Sequence, residues 1–141
     1  MPDNMPNNMN AAAAAFGRVL LSVLFLLSGF QKLAGFGDTV GYMGSMGLPF
    51  PELATIVAIL VECLGGILLI IGYQIRFVGL VMALWSIATA LVAHTHFADV
   101  NQLIHFLKNV AMAGGFLQLV AFGAGAWSLD ARRRTGGRWR A

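Results

Sequence analysis

The chain has 141 residues, of which 58% are apolar and only 11% charged, and its formal net charge is +3. Ordinary globular domains carry about 25% charged residues, so this composition excludes most soluble enzyme folds, and the length suits one compact unit rather than two. The basic residues lie beside apolar segments, which fits anionic lipid better than nucleic acid, and a single cysteine, Cys63, excludes an intramolecular disulfide or a thiolate metal cluster.

In chain order, residues 1–13 open with the polar, proline-punctuated MPDNMPNNMN and read as a disordered tail. Four apolar segments follow at 14–33, 53–72, 77–93 and 103–129. Each is long enough for a membrane-spanning helix, which needs about 17 to 25 residues. The fold expected is therefore an all-α integral membrane four-helix bundle over 14–130, with a basic cytoplasmic tail over 131–141. The first segment makes a poor signal peptide, because no Lys or Arg precedes Arg18 and the following QKLAGFG holds no A-x-A-like cleavage site.

The connection over 34–52 contains GFGDTVGYMGSMGLPFPE, rich in glycine yet apolar enough for the membrane interface. It predicts a short interfacial helix near Asp38 to Met46, with Asp38 as N-cap and Gly47, Pro49 and Pro51 as the stop. Tyr73-Gln74-Ile75-Arg76 is a tight turn that forces the second and third spans into an antiparallel hairpin. Seven of the nine basic residues share the side of this turn and both termini: Arg18, Arg76, Arg132, Arg133, Arg134, Arg138 and Arg140. Lys32 and Lys108 fall on the other side. The positive-inside rule then places both termini in the cytoplasm and the 34–52 and 94–102 loops outside. An internal echo, Leu64-Gly65-Gly66-Ile67-Leu68 against Ala113-Gly114-Gly115-Phe116-Leu117, reads first as two places of close helix approach and second as a parallel repeat.

A charge at the centre of a span costs about 2.5 to 3.5 kcal/mol on insertion scales, so Glu62 needs a reason. It lies about ten residues into the second span, roughly 15 Å deep, on a face with Thr55 and Gly66. Lys108 is the candidate counter-charge, one face of its helix also carrying His105, Asn109 and Met112. Gln31-Lys32 closes the first span, and His94-Thr95-His96 closes the third. These groups together predict a polar pocket that opens outward and is lined by Lys32, Glu62, His94, Lys108 and Asn109. Glu62 reads equally as one half of a buried pair that fixes helix register and as a proton-accepting or ligand-binding carboxylate.

His94, His96 and His105 are residue types that ligate metals and haem, but they lie near the water interface and no second facing pair exists. Haem is disfavoured, no metal site is expected, and hydrogen bonding to loop backbone or to a quinone carbonyl is the preferred role. Cys63 is about 100° round the helix from Glu62 and reads as packing, as do Trp85 and Thr89. Trp127 and Trp139 suit an aromatic belt.

Gly29-Phe30-Gln31-Lys32-Leu33, then Gly41-Tyr42-Met43, Gly47-Leu48-Pro49, Glu62 with Gly65-Gly66, and Gly72 before Arg76 together resemble the DoxX family of small bacterial inner-membrane proteins. His94, Phe97-Ala98-Asp99, Asn101, Lys108-Asn109, Gly114-Gly115-Phe116-Leu117 and Ser128-Leu129-Asp130 extend the resemblance, which covers about residues 16–130. It implies a four-helix membrane protein with both termini inside. Some members resemble a subunit of a thiosulfate:quinone oxidoreductase or accompany quinol oxidase components, and others associate with oxidative-stress proteins. Lys32, Glu62, His94, Lys108 and Asn109 match the family pattern, whereas His96 and His105 do not. The chain carries no flavin, Fe–S or disulfide-exchange motif, so the resemblance implies an accessory subunit of a quinone-linked redox system, with quinone as candidate cofactor. The partners implied are the lipid bilayer, a redox enzyme and a second copy of the chain. A non-catalytic membrane scaffold is the alternative, and an oligomeric transporter for a small acid is a third reading.

Overall fold

The computed structural model describes residues 7–136, which fold into helices α1 (Asn7–Ala34), α2 (Phe36–Ser45), α3 (Pro51–Ile71), α4 (Ile75–Ala93), α5 (Val100–Phe122) and α6 (Leu129–Gly136). Among the described residues there is no strand. The four long helices α1, α3, α4 and α5 are each long and apolar enough to cross a membrane. They run alternately up and down. Ser22 and Leu26 of α1 lie against Gly66 of α3, Glu62 of α3 meets Trp85 of α4, and Phe116 of α5 meets Gly79 of α4 and Phe25 of α1. The ring of four helices closes on a core of Phe25, Leu69, Ile75, Met82 and Phe116, the last four with no exposed surface. Outside it, Leu27, Leu64, Leu84, Leu91 and Leu117 are more than half exposed. A soluble bundle would hide these side chains, whereas a bilayer accepts them without cost.

The helix termini differ from the sequence expectations in three places. Residues 7–13, expected in the disordered tail, are the first turns of α1, because the alanine run 11–15 has the highest intrinsic helix propensity and Ala11 is buried. The expected tail residues 1–6, and 137–141 of the basic tail, lie outside the described residues. The fourth span ends at Phe122 rather than at 129: Gly123 and Gly125 adopt left-handed φ values of 81° and 83°, which break the helix before α6 restarts it. The short helix α2 begins before Asp38. Only Gly35 separates it from α1, so Gly35 takes the N-cap position and Asp38 sits in the first turn without capping it.

Gly72 closes α3 with φ 71°, its N–H and that of Tyr73 both returning to the Leu68 carbonyl, the helix-terminating geometry glycine favours. A Cβ here would also lie 2.5 Å from Nη1 of Arg18. The glycine is therefore fixed twice, by backbone and by neighbour.

Candidate functional site

Polar residues gather at both ends of the bundle, and each gathering has a different character. In the half that holds the α1 C-terminus, Glu62 is the twelfth of the 21 residues of α3 and only 4% exposed. Its Oε2 accepts from Lys32 Nζ of α1 at 2.9 Å and its Oε1 from Trp85 Nε1 of α4 at 3.3 Å. Three helices thus meet on one carboxylate. Lys32 also donates to Ser28 one turn earlier, and its side chain is 23% exposed against 6% for Glu62, so the lysine is the part of this centre that reaches the bundle surface. The pair forms because Gly29, one turn before Lys32, lets α1 approach α3: a Cβ there would stand 2.6 Å from Cys63 Sγ and 3.2 Å from Glu62 Cβ.

From Trp85 a string of polar groups runs toward the helix ends. Thr89 Oγ1 reaches the Trp85 carbonyl at 3.0 Å and Asn109 Oδ1 at 3.5 Å, and Asn109 Nδ2 donates to the His105 carbonyl at 3.0 Å. The His105 ring stacks on His94 with centroids 5.1 Å apart and planes 25° from parallel, while His94 Nδ1 pairs with Gln102 Oε1 at 3.1 Å. Asp99 caps α5 by accepting from the Asn101 N–H at 2.9 Å.

Of the five residues expected in one pocket, the structure joins Lys32 and Glu62 directly, and it links Asn109 and His94 to them through Trp85, Thr89 and His105. Lys108 stands apart, exposed and without a hydrogen bond or ion pair among the described residues; the counter-charge of Glu62 is Lys32 instead. Trp85, read from sequence as packing, is a direct partner of the carboxylate. Its signal lay in the antiparallel hairpin: with the turn at 73–76, position 85 returns to the depth of position 62.

At the opposite end, Arg18 of α1 is 1% exposed. It donates to the carbonyls of Leu69 at 2.8 Å, Ile70 at 2.9 Å and Trp127, and so satisfies carbonyls left unpaired at the C-terminus of α3. Asp130 of α6 accepts from the Gln74 and Ile75 N–H groups at 2.8 and 2.9 Å, capping α4 across 55 residues of chain. Ser128 Oγ accepts from Ala131 N–H at 3.1 Å and caps α6. Sequence reading counted Arg18 only as a flanking charge and missed this latch, although the Ser128-x-Asp130 spacing after the last span was visible.

The DoxX family model matches residues 13–95. The Escherichia coli inner membrane protein YphA is 38% identical over 121 residues, covering 82% of this chain and 86% of that protein. The E. coli inner membrane protein YqjF is 36% identical over 113 residues, covering 80% and 85%. A Bacillus subtilis protein named "Putative oxidoreductase CatD" is 37% identical over 67 residues, 48% of each chain. No solved structure matches the chain.

Proposed function

The chain belongs to the DoxX family and is a multi-pass protein of the inner membrane, and on that premise we propose that it is a non-autonomous subunit of a quinone-linked redox system. The observation that carries this reading is the charged centre at mid-span: Glu62 held by Lys32 and Trp85, with the Lys32 side chain partly exposed at the bundle surface. Ionisable groups at this depth are costly and are kept chiefly where they bind or move charge. The name of the B. subtilis relative, which shares part of this chain, points to the same class of chemistry.

The donor set fits a quinone headgroup at one point. Lys32 has three N–H donors and spends two on Ser28 and Glu62, which leaves one for a carbonyl oxygen approaching from the lipid side. Lys32 would orient the headgroup and stabilise negative charge on its oxygen; Glu62, behind it, would hold or release a proton at Oε2. A bound quinone would supply the electron-carrying chemistry, and a partner enzyme would supply the electrons. In this reading both termini lie in the cytoplasm, as the basic bias of the sequence suggests, and the Lys32 centre lies in the outer half.

The test is mass spectrometry of organic extracts from full-length protein purified in mild detergent, wild type beside Lys32→Met and Glu62→Gln. Near-stoichiometric quinone in the wild type, and its loss from Lys32→Met, is expected. An empty wild type would overturn the reading. One observation favours a second one: both Glu62 oxygens are already paired, and the carboxylate is covered. In that case the centre fixes helix register and the protein is a membrane scaffold, both variants losing stability and neither losing a ligand.

A further inference from the structure

The end of the bundle opposite the Lys32 centre carries a cavity of about 440 Å³ between the start of α4, the end of α5 and α6. Its lining includes three arginines, Arg76, Arg133 and Arg134, against one acidic residue, Asp130. Both oxygens of Asp130 are engaged by the Gln74 and Ile75 N–H groups, so its charge is directed at the α4 N-terminus. Arg76 uses Nη1 on the Val120 and Ala121 carbonyls; its Nε and Nη2 lie over Gly123, 3.8 Å from where a Cβ would stand, and remain available. Arg133 lies 5.2 Å over the Tyr73 ring. That contact positions the guanidinium but occupies its face, leaving its edge N–H donors unspent.

The residues next in sequence to this lining are apolar and face outward: Phe77 follows Arg76 and is 67% exposed, and Phe122 precedes Gly123 and is 80% exposed. They belong to spans that begin at Ile75 and end at Phe122, so the cavity lies where hydrocarbon gives way to water. A cationic cleft at that level, with exposed aromatic residues one position along the chain from Arg76 and Gly123 of its lining, matches a molecule with an anionic head and apolar chains. A free phosphate would use the arginines and leave both rings without a role.

We propose that this cavity binds the phosphate of an anionic phospholipid, with Arg76, Arg133 and Arg134 on the phosphate oxygens and Phe77 and Phe122 along the acyl chains. Arginine forks suit phosphate oxygens because they donate two parallel N–H bonds. The site is independent of the redox reading and stands at the other end of the molecule.

Native mass spectrometry of the full chain in mild detergent tests it, with phosphatidylglycerol and phosphatidylcholine as probes. Phosphatidylglycerol is expected to be retained in preference. The double variant Arg133→Gln/Arg134→Gln loses about 25-fold in affinity for it, about fivefold for each charge removed, and Lys108→Gln at the far end loses nothing. Arg133→Lys/Arg134→Lys, which preserves charge, stays within about fivefold of the wild type and keeps the test valid if the glutamine pair fails to fold. Excess inorganic phosphate is expected to leave most of the lipid bound. Equal retention of the two lipids, unchanged binding in a folded glutamine pair, or complete displacement by inorganic phosphate overturns the proposal, the last in favour of a free-anion site.

Discussion

Two cations decide how charge is accommodated inside this bundle, and they do so by opposite means. Among the described residues Arg18 meets no carboxylate within ion-pair distance; it is held by three backbone carbonyls, two of them exposed by the end of α3, and the helix dipole supplies negative potential. Lys32 meets Glu62, a full countercharge on another helix. Removing one partner of a covered ion pair leaves the other uncompensated, at about 3 kcal/mol, whereas replacing both by neutral groups of similar volume is often close to neutral. Lys32→Met is therefore expected to unfold about 3 kcal/mol more easily when folded protein in mild detergent is titrated with a denaturing one. Lys32→Met combined with Glu62→Gln should recover at least half of that loss. A double variant no more stable than Lys32→Met alone would mean that the pair is not what the lysine contributes.

Between helices, the contacts that position the Lys32 centre are set by what is absent at Gly29. Without a side chain there, α1 lies close enough to α3 for the ammonium to reach Glu62; an added Cβ would press on Cys63 Sγ and on the Cys63 backbone nitrogen at 3.2 Å, which cannot move without moving the helix. Gly114 is the contrast, mid-helix in α5 with nothing within 4 Å of an added Cβ. Gly29→Ala is expected to cost about 1 to 3 kcal/mol as overpacking and to lengthen the Lys32–Glu62 contact, whereas Gly114→Ala should gain up to about 1 kcal/mol from helix propensity. Thermal unfolding of the two variants side by side checks this, and equal shifts would remove Gly29 from its role. The contrast also shows what the sequence could tell. The glycine pair at Gly65 and Gly66 marks close approach, to Met82 and Leu26, but the matching pair does so only at Gly115. The spans and the depth of Glu62 were legible because hydrophobicity and the 1.5 Å rise are local properties. The partner of Glu62 was not, since Lys32 and Lys108 are both lysines near the ends of spans and only helix packing chooses between them. The role of Asp130 as the cap of α4 was not legible either, because the N–H groups that donate to it lie 55 and 56 residues away.

For the molecule as a whole, the ends are unequal in free charge once the buried groups are set aside. Lys32 is neutralised by Glu62, which leaves Lys108 as the unpaired basic side chain of its end among the described residues. Arg18 is enclosed by carbonyls, so the other end presents Arg76, Arg132, Arg133 and Arg134 among the described residues, with Arg138 and Arg140 following in sequence. The basic bias that sets topology counts residues in short loops and within about 15 to 20 residues of the spans, and all of these arginines qualify. Both termini are therefore expected in the cytoplasm. A fluorescent protein fused at the C-terminus should fold and emit, whereas alkaline phosphatase fused there should be inactive and become active when fused after Phe97 in the loop between α4 and α5. Active phosphatase at the C-terminus would invert the bundle. It would put the Lys32–Glu62 centre in the cytoplasmic half and the arginine cavity in the outer leaflet, and under the proposed function the enzyme reducing a quinone held at Lys32 would then be sought on the inner face.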